Sequence, residues 1–161
     1  MQRVRYFSYC SIWNHRNQFE INVFAGIILP RFYGDNGFYV ELGLQGGSHP
    51  NEGYIEIKPS NGTWGGICDD YFGKNDADVI CRMLGYSSGS EKVWHGPGLG
   101  PDAISMHSFG HGSGEILLDN LDCTGNEDTI LECNHRGWGV NNCFLFNSGS
   151  KHEWAGVTCK E

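Results

Sequence analysis

Hydrophobic and polar residues alternate in two stretches of the first half of the chain. Val40-Glu-Leu-Gly-Leu44 and Tyr54-Ile-Glu-Ile-Lys58 follow the two-residue period of strands with one buried face. Residues 46–53 and Pro59-Ser-Asn-Gly62 have turn compositions, so these runs fold back antiparallel and lead into a third strand, Trp64 to Cys68. The period then changes. Ala77, Ile80, Cys81 and Leu84 recur at helical spacing, with Asn75 suited to the N-cap, Asp76 and Asp78 to the positive end of the dipole, and Gly85 to the stop. Glu115 to Leu121 is predicted as a strand burying Leu118 and Leu121. Glu127 to Cys133 is predicted as one or two helical turns with Ile130 and Leu131 inward, and Trp154 to Cys159 as a closing strand. Residues 87–114, rich in Gly, Ser and His, predict a long loop of the kind that carries binding surfaces. Residues 1–38 lack a clean period apart from Ile21-Asn-Val-Phe24, so an N-terminal extension is expected before a domain at 39–161.

Composition narrows the class. A chain of 161 residues with 24 glycines and 19% charged residues suits one loop-rich globular domain plus an extension. Seven cysteines point to an oxidising compartment. Six lie between 68 and 159, and Cys10 stands apart, either a free thiol or a bridge to a second copy. Cys68 and Cys81 are too far apart for a zinc knuckle, and the six cysteines allow fifteen pairings that residue patterns leave open. Four arginines against two acids put residues 1–38 at +2, so the remainder of a chain of net charge −8 carries −10. Such a surface repels phosphate backbones and favours cations, which argues against nucleic acid as a specific partner. No apolar run reaches the length of a membrane span. Ile21 to Leu29 comes nearest, but Asn22 interrupts it, Pro30 ends it and Glu20 abuts it, so it makes a poor signal peptide. The export signal is expected outside these residues or in an unusual form.

Catalytic patterns are missing. There is no His-Glu-x-x-His and no Walker loop, and Gly85-Tyr-Ser-Ser-Gly89 has the outline of a nucleophile elbow but follows a helix, not a strand. His107 and His111 have the spacing of paired zinc ligands on a helix, yet Gly110, Gly112 and Gly114 make that helix unfavourable. Cys133 with His135 is a weak zinc pair once the sulfur is oxidised. The expectation is that the chain is not an enzyme. Asn61-Gly-Thr63 is a glycosylation sequon in a turn, accessible if the chain is secreted.

Trp64-Gly-Gly-Ile-Cys-Asp-Asp70 followed by Asp76-Ala-Asp-Val-Ile-Cys-Arg-Met-Leu-Gly85 resembles the scavenger receptor cysteine-rich domain. Trp94-His-Gly-Pro-Gly98, the segment from Ile116 to Glu127, Leu131-Glu-Cys133, His135 to Cys143 and Ala155-Gly-Val-Thr-Cys159 are similar to the family as well. The resemblance covers roughly three quarters of the chain. It implies an α+β fold, a small curved antiparallel sheet cradling a short helix, with long loops. It also implies three bridges, Cys68–Cys143, Cys81–Cys159 and Cys123–Cys133. These would draw Glu153 toward Asp69 and Asp70, a carboxylate cluster suited to Ca²⁺ or Mg²⁺, with Asp119 and Asn142 as a second cation pair. At the position before Ala155 the family usually has Asp, and this chain has Trp154. The function implied is a non-catalytic, scavenger or pattern-recognition module of innate immunity. It would bind polyanions, microbial surface components or proteins, as a secreted domain or an ectodomain. The alternative is a structural or adhesion module that contacts another protein without metal, with Cys10 as a dimer link.

Overall fold

The structure, a computed structural model, describes residues 19–24, 27–34, 36–96, 109–143 and 153–161. The sheet begins earlier than the alternating pattern predicts. Phe19–Phe24 (β1) and Ile27–Tyr33 (β2) form an antiparallel hairpin, and β2 pairs with Tyr39–Gly46 (β3). Part of the segment expected as an extension is therefore continuous with the sheet. Pro30 lies just beyond the last β2–β3 pair, Arg31 with Glu41, so it interrupts no pairing on that side. β3 pairs along its length with Glu52–Pro59 (β4), from Val40 opposite Pro59 to Gly46 opposite Gly53. Along β4, Gly53, Ile55, Ile57 and Pro59 are buried and the residues between them are half-buried, which is the predicted alternation.

Gly65–Ile67 (β5) pairs antiparallel with β4 and parallel with Ile116–Leu118 (β7). Between them lie the helix Lys74–Met83 (α1) and the strand Ser90–Trp94 (β6), and Gly156–Cys159 (β8) joins both β4 and β6. β6 falls inside the stretch predicted as loop. Its pattern is short and its partner is far along the chain, where Trp94 Nε1 donates to Thr158 Oγ1 at 2.8 Å. The helix also starts one residue before the expected cap. Gly73 is the N-cap, and Asp76 Oδ2 reaches back to accept the Gly73 N–H at 2.8 Å. Its end is as expected: Gly85 takes φ 96°, Gly85 N–H donates to Arg82 O and Tyr86 N–H to Cys81 O, closing a Schellman motif. The expected turns near Glu127 reduce to a single 3-10 turn, Ile130–Glu132, capped by Thr129.

The core packs α1 residues Ala77, Val79 and Ile80 against Leu42, Ile55, Ile57 and Ile67 of the sheet, with Leu118, Leu121 and Ile130 closing one side. A smaller cluster of Cys68, Ile116, Cys143 and Trp154 forms beside it, with Tyr54 against Trp154. Trp154 is fully buried and its indole comes so close to Gly66 that a Cβ there would sit 2.6 Å from Cδ2. The pairs Cys68–Cys143, Cys81–Cys159 and Cys123–Cys133 are bridged, over sequence separations of 75, 78 and 10. By loop-closure entropy the two long bridges contribute about 4 kcal/mol each and the short one about 2.7 kcal/mol. Among the described residues no helix is long and apolar enough to cross a membrane.

Candidate cation site

The end of β5 builds an acidic corner. Cys68 forms an antiparallel bridge with Trp154, and the Asp69 N–H donates to the Glu153 carbonyl at 3.1 Å, so the segment before β8 is laced to the corner by backbone. A turn follows, closed by Phe72 N–H to Asp69 O at 3.2 Å, with Phe72 buried as its anchor. Tyr71 within that turn has φ 59° and is 85% exposed, so it holds a left-handed conformation without packing to stabilise it.

Carboxylate oxygens of Asp70 and Glu153 and the sulfurs of Cys68 and Cys143 all lie within 4.8 Å of one another. The sulfurs are bonded to each other, so they are no thiolate ligands, and the donors left are hard oxygens. Both carboxylates are half-buried. Asp69 stands behind them, 8% exposed, with Oδ2 accepting the Gly96 N–H at 2.7 Å. Burial pushes its carboxyl up to about 6; the Gly96 N–H and His95 oppose the rise, and the charges of Glu153 and Asp70 add to it. Two half-buried carboxylates thus converge beside a third, Asp69, whose carboxyl their charges raise, and hard oxygens of this kind suit a small divalent cation.

The second expected pair is arranged differently. Asp119, fully buried just after β7, accepts through Oδ2 from the Asn142 N–H at 3.2 Å and from Arg136 Nη1 at 3.1 Å. Arg136 Nη1 also donates to Asn142 Oδ1. The arginine was absent from the expected set; its signal was modest, one of two arginines after residue 38, six residues before Asn142.

The remaining candidates are placed as follows. Asn61 is exposed in the turn between β4 and β5, where a sequon is accessible. His111 is exposed, and its Nδ1 faces the Gly112 carbonyl at 2.8 Å in an irregular segment. Its expected partner His107 and the lone Cys10 lie outside the described residues. Cys133 is bridged to Cys123, and Glu127 beside them accepts the Thr124 and Gly125 N–H groups. His135 accepts the Gly137 N–H through Nδ1.

Among the described residues, a sheet folded on one helix and stapled by three bridges makes a small disulfide-tied domain. Residues 45–160 match the profile of the scavenger receptor cysteine-rich domain. A scavenger receptor cysteine-rich superfamily protein of Patiria pectinifera is 39% identical over 119 residues, which cover 74% of this chain and 9% of that protein. The SRCR domain of mouse MARCO, solved in a dimeric form, is similar at 40% identity and TM-score 0.52, over 68% of this chain and 87% of that one. The third SRCR domain of murine neurotrypsin is similar at 35% identity and TM-score 0.56, over 74% and 95%. The chain belongs to the scavenger receptor cysteine-rich family. Domains of this family are ligand-binding modules in receptors, generally non-catalytic and typically extracellular.

Proposed function

We propose that this chain is an extracellular ligand-binding domain that holds a divalent cation, Ca²⁺ or the smaller Mg²⁺, at Asp70 and Glu153 with Asp69 behind them. The ion turns an acidic patch into one that accepts the anionic groups of polyanionic ligands, such as microbial surface components or acidic protein surfaces. The observation that supports it is the convergence of Asp70 and Glu153, from opposite ends of the domain, beside one disulfide. A bound cation would dominate the local field, which is how a domain of net negative charge can bind a polyanion. Calorimetry with dextran sulfate tests this. Binding is expected to be tighter in Ca²⁺ than in chelator, and the D70N/E153Q double variant is expected to lose that difference. Equal binding by the wild type in both conditions would refute the reading.

A second reading, a protein-contact module that needs no metal, draws on β1. Among the described residues it pairs only with β2, and an edge strand can pair with a second chain. The MARCO domain was solved as a dimer. Non-reducing electrophoresis separates the versions of this reading: a dimer lost in C10S supports a bridge through Cys10, and a monomer in both removes it.

A further inference from the structure

The Asp119–Asn142 pair carries its own cation. Arg136 holds Asp119 Oδ2 and Asn142 Oδ1 through the same Nη1, and its backbone N–H donates to the Asp119 carbonyl at 3.3 Å. These are the side-chain oxygens a divalent ion would use. Asp119 is fully buried, and its Oδ1 has no hydrogen-bond partner among the described residues. The guanidinium is therefore the charge that balances this carboxylate. A divalent ion on these oxygens would have to sit against that guanidinium or displace it from the Asp119 carboxylate, and like charges at such distance repel. The pair does not fit a second ion.

The arrangement also faces outward with a definite sign. The Asp119 side chain is fully buried, whereas that of Arg136 is 42% exposed, so solvent meets the guanidinium and not the carboxylate. The bonds to Asp119 and Asn142 occupy Nη1, and a guanidinium has five N–H donors in a planar fork suited to oxyanions. Its position relative to the acidic corner is set by one disulfide. Asp69 follows Cys68, Asn142 precedes Cys143, and these cysteines are bridged with Cα atoms 6.2 Å apart. The Cys68 N–H donates to the carbonyl of Leu118, the neighbour of Asp119, at 2.8 Å. The two acid groups border the same bridge.

We infer that Arg136 takes the place of a divalent ion at the Asp119–Asn142 pair and gives the domain a permanent cationic anchor for anionic ligand groups, beside the ion-dependent anchor at Asp70 and Glu153. The inference rests on the proposed function in taking the ligand to be anionic. A ligand with repeated charges can engage both anchors, so chelation weakens binding without abolishing it.

Two measurements on the folded domain test this. The first is dextran sulfate affinity in chelator for the wild type, R136Q, R136K and K160Q. Arg136→Gln keeps hydrogen-bond donors for Asp119 but loses the charge. Lys160→Gln changes net charge equally at an exposed position. The residual binding of the wild type is expected to fall about tenfold in R136Q, the worth of one charge-assisted contact. R136K is expected to lose less, and K160Q no more than a screened change of net charge allows. Equal losses in R136Q and K160Q would overturn the anchor. The second measurement is the melting temperature against Ca²⁺ in the D70N/E153Q background. With Arg136 present no upward shift is expected, and adding R136Q is expected to create one. A shift with Arg136 present that D119N abolishes would show an ion entering the pair and overturn the inference. Failure of the proposed function looks different: wild-type affinity would then be equal in Ca²⁺ and chelator, while the R136Q comparison still stands.

Discussion

Some acids of this molecule have a basic side chain built beside them, and at the acidic corner carboxylates gather beside one another. Asp78 on α1 is held by Lys74 Nζ at 2.7 Å, Glu41 by Arg31 at 3.1 Å, and Asp119 by Arg136 at 3.1 Å. At the acidic corner the charges that bear on Asp69 are Glu153 and Asp70, against a single imidazole, His95. The same residue type responds in opposite directions. Burial raises both carboxyls, but at Asp78 the Lys74 ammonium and the Ser90 N–H and hydroxyl outweigh it and hold the group down at about 2. Asp69 is left at about 6. The paired acids carry their counter-charge within the fold, and the corner is where the proposed cation would act.

The largest expected effect comes from removing the bridge that both regions share. C68A/C143A is expected to lose about 4 kcal/mol, against about 2.7 kcal/mol for C123A/C133A, and to abolish any Ca²⁺-dependent shift in melting temperature. Equal losses for the two bridges would break the link between loop length and the corner. Next, R136Q leaves Asp119 buried without its counter-charge and is expected to cost about 3 kcal/mol in denaturant unfolding. By contrast D70N or E153Q in chelator is expected to stay within about 0.5 kcal/mol of the wild type, or to rise above it, because each relieves repulsion. Comparable losses at both regions would erase the distinction drawn here. Tyr71→Gly removes a left-handed side chain that is 85% exposed and is expected to gain about 0.5–1 kcal/mol once the extra freedom of unfolded glycine is subtracted. A loss instead would mean that the ring makes a stabilising contact.

The smallest effect is on pH dependence. The Asp78 carboxyl lies at about 2 in the folded chain, below its ordinary 3.8. Its contribution is fully present above the ordinary value and disappears as pH falls through about 2. D78N is therefore expected to flatten that part of the acid-unfolding curve while leaving the curve above pH ~5 unchanged in shape. A changed slope near neutrality would point to a different group.

The framework of the domain was largely readable because its signals are local. Alternation along residues 40–44 and 54–58 marked β3 and β4, and Gly85 marked the helix end by the one backbone conformation it alone adopts cheaply. The cysteine pairing came from resemblance, since fifteen pairings are equally compatible with the residues. What escaped has distant causes. β6 draws its strand character from β8, more than sixty positions later, and Glu91 and Lys92 resemble loop residues until Thr158 is opposite. β2 was masked by Pro30, whose missing donor matters only if a partner strand lies on that side. At the candidate site the convergence of Asp70 with Glu153 follows from a bridge and could be anticipated. Arg136 could not, because its pairing with Asp119 depends on how the loop from His135 to Cys143 returns across β7, as Gly139 N–H bonding to Leu117 O makes plain. Trp154 is a similar case: where the family usually has an acid, a buried indole fills the space against Gly66 and Tyr54.

The stoichiometry of Ca²⁺ binding to the wild-type domain, by calorimetry near neutral pH, bears most directly on the difference between the two acid groups. One ion per chain, lost in D70N/E153Q and retained in D119N, is the predicted result. No binding at all would contradict the reading of the acidic corner, and two ions per chain would contradict the assignment of Arg136 as the resident cation.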